Sequence, residues 1–389
     1  LSLQGSAGAK QHTTSGEIII EGDVTVSSGT TFTSGPENLT VTDNFTLPGI
    51  SDDKPSAGTT RFNEDLGSLE FYTGSEWRAV NSRVDMSNRG RAVFSGGYDT
   101  NPHNAATKAQ IDYFNMSTAG NAIDFGNLMT PVTNANGGGN SVRGLVTHGF
   151  TDGNIIQHLT IASTGDSIEF GDRTHNTYGG QVVASDTRAV FIGGSGTNII
   201  DYVEIMTLGN ALDFGDCGTS SFYRGHAQSP VRGVVYAGQE SGVYGSKVSS
   251  LIIASKGDTT PWGDAATSTH KYVQGQSNSV RGIFTMGWGY PTNNGAADKQ
   301  LESFELASSG IGVDFGELAT PHGRPSAAAS QIRLVVAGGQ NTQPSAWQIS
   351  TSESISIATK GSAEYFGELT VARDQFAGLS DCHGGLGGF

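Results

Sequence analysis

The sequence predicts an all-β protein folded as a β-propeller, and three observations carry that reading. A phrase that first appears as Arg91-Ala-Val-Phe-Ser-Gly-Gly97 returns in altered form at Arg143, Arg188, Arg232, Arg281 and Arg333. Each copy is followed by an aromatic-Gly phrase: Asp124-Phe-Gly-Asn127, Glu169-Phe-Gly-Asp172, Asp213-Phe-Gly-Asp216, Pro261-Trp-Gly-Asp264, Asp314-Phe-Gly-Glu317 and Tyr365-Phe-Gly-Glu368. The period, roughly 44 to 53 residues, lies in the range of propeller blades. Apolar residues also arrive in short β-branched bursts such as Glu17-Ile-Ile-Ile20, Leu251-Ile-Ile-Ala254 and Arg333-Leu-Val-Val336, without helical spacing.

One repeat reads as four strands and three turns. From Gly180 to Asp216 these are Gln181-Val-Val-Ala184, Arg188-Ala-Val-Phe-Ile192, Ile199-Ile-Asp-Tyr-Val-Glu-Ile205 and Ala211-Leu-Asp-Phe214. A glycine stands five residues before every aromatic, at Gly120, Gly165, Gly209, Gly257, Gly310 and Gly361. Where Asn or Asp follows it, as in Gly120-Asn121 and Gly165-Asp166, a tight turn with positive φ is expected. The aromatic itself belongs on the last strand, packed against the neighbouring blade, with its glycine allowing close approach.

Two spacings separate a rigid part of the repeat from a variable one. From each aromatic to the next Arg the distance is 18, 18, 18, 19 and 18 residues, whereas from each Arg to its own aromatic it runs from 26 to 34. The variation falls between the second and third strands. Equivalent loops of a propeller leave on the same side, so the insertions are expected on one face, suited to recognition.

The chain finishes with His383-Gly-Gly-Leu-Gly-Gly-Phe389, which reads as a degenerate seventh copy of the first phrase. Upstream, Leu69-Glu-Phe-Tyr72 and Trp77-Arg-Ala-Val80 read as a hairpin. Joining the two halves predicts seven blades with a composite last blade; six blades plus a separate hairpin is the competing count. The organisation expected is an N-terminal β-shaft or anchor over 1–55, a hairpin adaptor over 56–80 contributing to the closing blade, and a propeller over 81–389. Residues 13–48 alternate apolar and Ser/Thr/Gly rungs with too few apolar residues for a core within one chain, so an intertwined oligomer, a homotrimer, is expected through 1–55, with a disordered or edge-pairing tail as the alternative.

Composition narrows the function classes. A net charge of −15 argues against nucleic acid, which needs clustered Lys and Arg. No apolar run approaches the roughly 20 residues that span a bilayer, so no membrane insertion is expected. Cys217 and Cys382 are too few for a disulfide scaffold and read as free thiols. The nine His residues lack metal-like spacing, so neither a metal nor a cofactor is expected. The acid repeated beside each aromatic, and the Arg repeated in each first phrase, recur too regularly to be one catalytic set; they read as partners in structural pairing, and no catalytic residue is assigned. The candidates for contact are aromatic residues of the variable loops, Tyr98, Tyr244, Trp288, Tyr290 and Trp347, set among Gly, Asn, Ser and Gln. Flat rings with amide neighbours suit sugar faces and protein epitopes alike.

A resemblance then becomes specific. The segment from Ser56-Ala-Gly-Thr-Thr-Arg-Phe-Asn63 to Leu69-Glu-Phe-Tyr-Thr-Gly-Ser-Glu-Trp77 resembles a segment of tailed-phage fibre and appendage proteins. The downstream repeats, with Ile161-Ala-Ser-Thr-Gly165 and Ile253-Ala-Ser-Lys-Gly257, resemble the kelch-like repeats of virion structural proteins from marine phages of the cyanophage type. The resemblance covers roughly residues 56–389. It implies a fibre-like, oligomeric virion component with propeller heads, and not which appendage or receptor. Taken with the long-loop face, the expectation is a non-enzymatic tail fibre or related fibre, with other virion proteins as partners, whose propeller head attaches to a host-surface glycan or protein. A capsid- or neck-attached decoration fibre without a receptor is the alternative; an envelope-polysaccharide-degrading enzyme is a further one.

Overall fold

The computed structural model describes residues 56–387, apart from 64–67, 80–89, 100–105, 148, 150–152, 219, 222, 237, 241–242, 267–269, 290–296 and 342–346. The shaft expected over 1–55 lies outside the described residues. The chain divides into two compact units, Leu1–Asp85 and Met86–Phe389.

In the first unit, Thr60–Asn63, Ser68–Tyr72 and Trp77–Ala79 form an antiparallel sheet in chain order. Arg61 lies 4.0 Å over the Trp77 ring and donates from Nε to Glu70 at 2.8 Å. The cation thus joins the outer strands of the sheet, across the middle one.

The second unit contains six four-stranded antiparallel blades. From the innermost strand outward, blade 2 is Asn136–Gly139, Arg143–Thr147, Ile155–Thr160 and Ile168–Asp172. Blade 3 is Gln181–Ala184, Arg188–Gly194, Thr197–Glu204 and Leu212–Asp216; blade 4 is Gly225–Gln228, Arg232–Tyr236, Lys247–Ile252 and Thr260–Asp264. Blade 5 is Gln274–Ser277, Arg281–Thr285, Gln300–Glu305 and Val313–Glu317; blade 6 is Ser326–Ala329, Arg333–Ala337, Thr351–Ser356 and Glu364–Glu368. Blade 1 draws its innermost strand, Ala377–Ser380, from the far end of the chain and completes it with Arg91–Ser95, Ala106–Asn115 and Ile123–Val132.

The innermost strands neighbour one another in circular order and return to the first. The blades are separate sheets except that Thr260–Asp264 of blade 4 pairs in parallel with Gly310–Ile311 at the edge of blade 5; no ladder runs around the ring, which closes by packing. Six apolar cores, one per joint, do this; the joint between blades 6 and 1 buries Ala328, Val335 and Phe366 against Ala92, Phe94 and Phe114.

The blade count is therefore six, and the composite blade differs from the expected one. Ala377–Ser380 follows Phe366 at the offset that other innermost strands keep from their aromatics, and it pairs with Arg91–Ser95 rather than with the hairpin. The first repeat begins at its second strand and lacks only an innermost one. The phrase at His383 is not a strand, because its place in that blade is already filled; Gly384–Leu386 instead forms a 3-10 turn.

Each joint repeats the same chemistry. Nη1 of the phrase arginine donates to a carbonyl of the next blade: Arg91 to Ile161 (2.9 Å), Arg143 to Ile205 (2.8 Å), Arg188 to Ile253 (3.2 Å), Arg232 to Leu306 (2.9 Å), Arg281 to Ile357 (3.0 Å) and Arg333 to Met116 (2.6 Å). Every guanidinium also lies over an aromatic ring of its own blade, from 4.2 Å for Arg232 on Trp262 to 5.9 Å for Arg143 on Phe170. The expected pairing of these arginines with the acids beside the aromatics gives way to carbonyl acceptors. Backbone oxygens fit because the arginine crosses to the end of a neighbouring strand.

At the rim, Gly165, Gly209, Gly257, Gly361 and Gly120 donate from N to the carbonyls of Phe125, Phe170, Phe214, Phe315 and Phe366. The Asn or Asp after such a glycine serves as an acceptor, as when Asp166 receives Asn127 N at 2.8 Å, rather than as the positive-φ residue of its turn. A Cβ on Gly215, at φ 153°, would lie 2.5 Å from the Gly257 carbonyl oxygen.

The ring axis is filled by polar side chains. His226 donates from Nδ1 to Gln181 Oε1 (2.8 Å) and accepts from Gln276 at Nε2 (2.9 Å). His383 donates from Nε2 to the Gly139 carbonyl (2.7 Å) while Nδ1 accepts from Gln228 (3.0 Å) and Gly385 N (3.1 Å). Each ring thus has one donor and one acceptor nitrogen, the neutral form. The tail crosses the axis here and plugs it.

Burial, and for His226 the nearby His383, holds the two imidazoles at about 3 (His226) and about 4 (His383), against 6.5 when unfolded. Between these values the unfolded chain binds protons that the folded one excludes, so their stability contribution is present above about 6.5 and is lost as pH falls. We expect His383→Gln to flatten the decline in unfolding free energy between pH 6 and 4 by up to about 1.4 kcal/mol per pH unit, read by denaturant titration. Gly215→Ala should cost about 2 kcal/mol or more in the same assay, because the colliding atom is backbone.

Candidate functional site

Antiparallel order sends the loops between second and third strands, and the links from each outermost strand to the next innermost one, out of the same face. The chain enters blade 1 through Gly90, ahead of a second strand, and so from the opposite face.

The links are fixed by a buried polar side chain on the third strand of the following blade. Asp201 accepts from Arg173 Nη2 (2.8 Å) and Thr174 N (2.8 Å). Glu353 accepts from Ala319 N (2.7 Å) and Thr320 Oγ1 (2.6 Å), and Asp112 from Thr370 Oγ1 (2.6 Å) with Arg373 2.8 Å away as its ion pair. Gln157 and Glu302 take Thr130 N and Ala266 N, each at 3.3 Å. These five groups are fully or almost fully buried. The ladder to the outermost strand is irregular just before each of them, which turns the side chain toward the previous blade.

Five links are so anchored, and each of the six turns through one left-handed residue just before the next innermost strand: Asn134 (φ 53°), Gly179 (67°), Tyr223 (60°), Tyr272 (56°), Arg324 (57°) and Gln375 (58°). Only one of the six is glycine. A bulky residue in this region costs about 1 kcal/mol or more. The strain is thus repeated around one end of the axis.

Those side chains converge with one loop aromatic. The Tyr223 and Tyr272 rings stack at 3.8 Å; Trp288 meets Tyr272 edge-on at 6.4 Å; Arg324 lies 4.5 Å over Tyr272 and 5.2 Å from Trp288. Asp374 is buried, with Oδ2 3.8 Å from Arg324 Nη1. Burial pushes its carboxyl up to about 6, against the pull of Arg324. Burial likewise raises the Tyr272 phenol. Trp288 Nε1 and Arg324 Nε have no hydrogen-bond partner, a cost of about 1–3 kcal/mol per buried group. The cavity lined by Tyr223, Tyr272, Arg324 and Gln375, with Asn134 and Gln181, is ≈ 20 Å³, room for about one water. The mouth presents rings, a guanidinium and amides. Among the described residues no group of three or more His, Cys, Asp or Glu is placed to hold a metal.

The structure brings two of the loop candidates to this mouth. Trp288 belongs to the cluster, and Tyr98 pairs by backbone with Asp374, with N–O distances of 2.9 and 3.0 Å. Tyr244 lies in a short strand, Val243–Tyr244, paired with Gln239–Glu240. Trp347 is 47% exposed, with its backbone tied to Asn341. Tyr290 lies outside the described residues. Sequence reasoning missed Tyr223, Tyr272, Arg324, Asp374 and Gln375. A signal existed: the left-handed residue stands nine positions after the aromatic in five repeats and ten in the fourth, inside the constant link taken for scaffold.

The geometry defines a six-bladed β-propeller with a strained, aromatic mouth on its loop face. No protein-family model matches the chain, and no curated protein does.

If the strain serves the side chain, Gln375→Gly should raise stability by about 1 kcal/mol in chemical denaturation while weakening whatever the mouth binds.

Proposed function

We propose that this protein is a virion appendage of a tailed phage, with a non-catalytic propeller head that attaches to the host surface through its loop face. The observation that carries the binding part of this reading is the ring of non-glycine left-handed residues at the mouth. It concentrates strain, two stacked tyrosines, Trp288 and unpartnered polar atoms on the face away from the entering chain. Such a surface suits a sugar face or a protein epitope, which stacking and amide hydrogen bonds recognise without bond breaking. The virion assignment rests on the likeness of 56–77 and of the repeats to phage fibre segments. In this reading residues 1–55 assemble a trimeric shaft and tie the head to other virion proteins.

The purified full chain should adsorb to whole cells of the host and block infection by the phage that carries it. Tyr223→Gly with Trp288→Ala should abolish both effects while circular dichroism keeps the propeller signal. Adsorption unchanged in that double variant would overturn the assignment of the mouth, and absence of adsorption by the native chain would overturn host attachment. Sedimentation should give a trimer that dissociates when 1–55 are removed; a monomer with 1–55 intact would sink the shaft.

A further inference from the structure

Blade 4 departs from the repeat at several points that meet in one groove. In blades 3 and 5, the residue directly opposite the phrase arginine on the third strand is a glutamate: Glu204 faces Arg188 and Glu305 faces Arg281. Its carboxylate receives the arginine's Nε and Nη2, at 3.1 and 2.8 Å in blade 3 and at 2.9 Å for both in blade 5. Blades 1, 2 and 6 set the polar residues Asn115, Thr160 and Ser356 opposite theirs, whereas in blade 4 the residue opposite Arg232 is the apolar Ile252. Arg232 keeps its Nη1 bond to the next blade, yet its Nε is buried with no hydrogen-bond partner.

The aromatic beneath that guanidinium differs as well. Where five repeats have phenylalanine, the fourth has Trp262, 4.2 Å below Arg232, and the indole Nε1 is likewise unpartnered. Beside them lies a groove of ≈ 420 Å³, lined by Arg232, Ile252, Lys256, Asp258, Thr260 and Trp262 among others, with the Lys256 ammonium 5.1 Å over the Tyr202 ring of blade 3. We propose that this groove binds the carboxylate of a small acidic ligand. The carboxylate takes the place that Glu204 and Glu305 fill from within the chain in blades 3 and 5. Two oxygens meet the Nε edge of Arg232, Lys256 supplies a second positive charge at the rim, and Ile252 gives the ligand an apolar wall. Trp262 Nε1 gains an acceptor that phenylalanine could not use. This site lies on the joint of blades 4 and 5 and is independent of the channel mouth.

The test is calorimetric titration of the full chain with glucuronate, N-acetylglutamate and neutral glucose. We expect saturable binding of a carboxylate and none of glucose; the tighter of the two acids identifies a sugar acid or a peptide side chain as the source. Ile252→Glu supplies the carboxylate in cis, and is expected to abolish binding and raise Tm. Trp262→Phe restores the repeat's own residue, and is expected to weaken binding about ten-fold, the loss of one hydrogen bond to a charged group. Should Ile252→Glu fail to fold, Lys256→Ala replaces it with the same expected weakening. Absence of carboxylate binding below about 10 mM, equal binding of glucose, or native affinity in these variants would overturn the proposal.

Discussion

Every joint of the ring depends on an arginine that reaches out of its own blade to a backbone oxygen of the next. The guanidinium suits the task because it remains charged when half-buried, lies flat on an aromatic ring and still has an edge free to donate. Its acceptor is main chain, so the bond fixes the position of a neighbouring strand and not of a flexible side chain. At the rim a glycine lets the two backbones touch. Between these points each joint buries a core of its own, and six such joints leave no blade with an uncovered face. Removing one would expose apolar surface on two blades at once.

The two phrases of the repeat made the fold legible, and the reason is physical. Arginine, glycine and a large ring are residues whose sizes and donors are dictated wherever one blade meets the next, so they recur in print. The blade count was harder. Ala377-Gly-Leu-Ser380 has no special residue and reads as a strand only once its offset from Phe366 is compared with the other repeats. The eye goes instead to His383 and its glycines, which resemble the first phrase but plug the axis. The site was legible in part. Trp288 stands in a long loop and invites notice, whereas Tyr272 and Arg324 lie in a link of nearly constant length. Constant length marks geometry, and here it is the geometry that presents side chains: a left-handed backbone at one position per blade, held in five of the six links by a buried acid or glutamine from the blade beyond. Neither the φ angle nor the convergence of six links on one axis is written in any single repeat.

The repeat also shows how a symmetric scaffold acquires distinct surfaces. The two ends of the axis are finished differently, one by the chain's own tail with neutral histidines, the other by strained aromatic and charged residues. Around the rim the residue opposite the phrase arginine varies: glutamate in blades 3 and 5, a neutral polar residue in blades 1, 2 and 6, and the apolar Ile252 in blade 4. Internal copies serve as controls for one another, since blades 3 and 5 display the contact that blade 4 lacks.

The borrowed strand of blade 1 carries a consequence for the order of folding. Gly90 N donates to Asp381 Oδ1 across 291 residues of chain, the kind of closure whose entropy is met before any contact repays it. During synthesis blades 2 to 6 can form one after another as they emerge, each upon its predecessor. Blade 1, although made first, waits with three strands and an open inner edge until Ala377–Ser380 arrives. Over that interval the nascent chain offers an unpaired strand that another nascent copy could fill, so the rate of translation itself bears on whether the ring closes upon itself or exchanges strands with a neighbour.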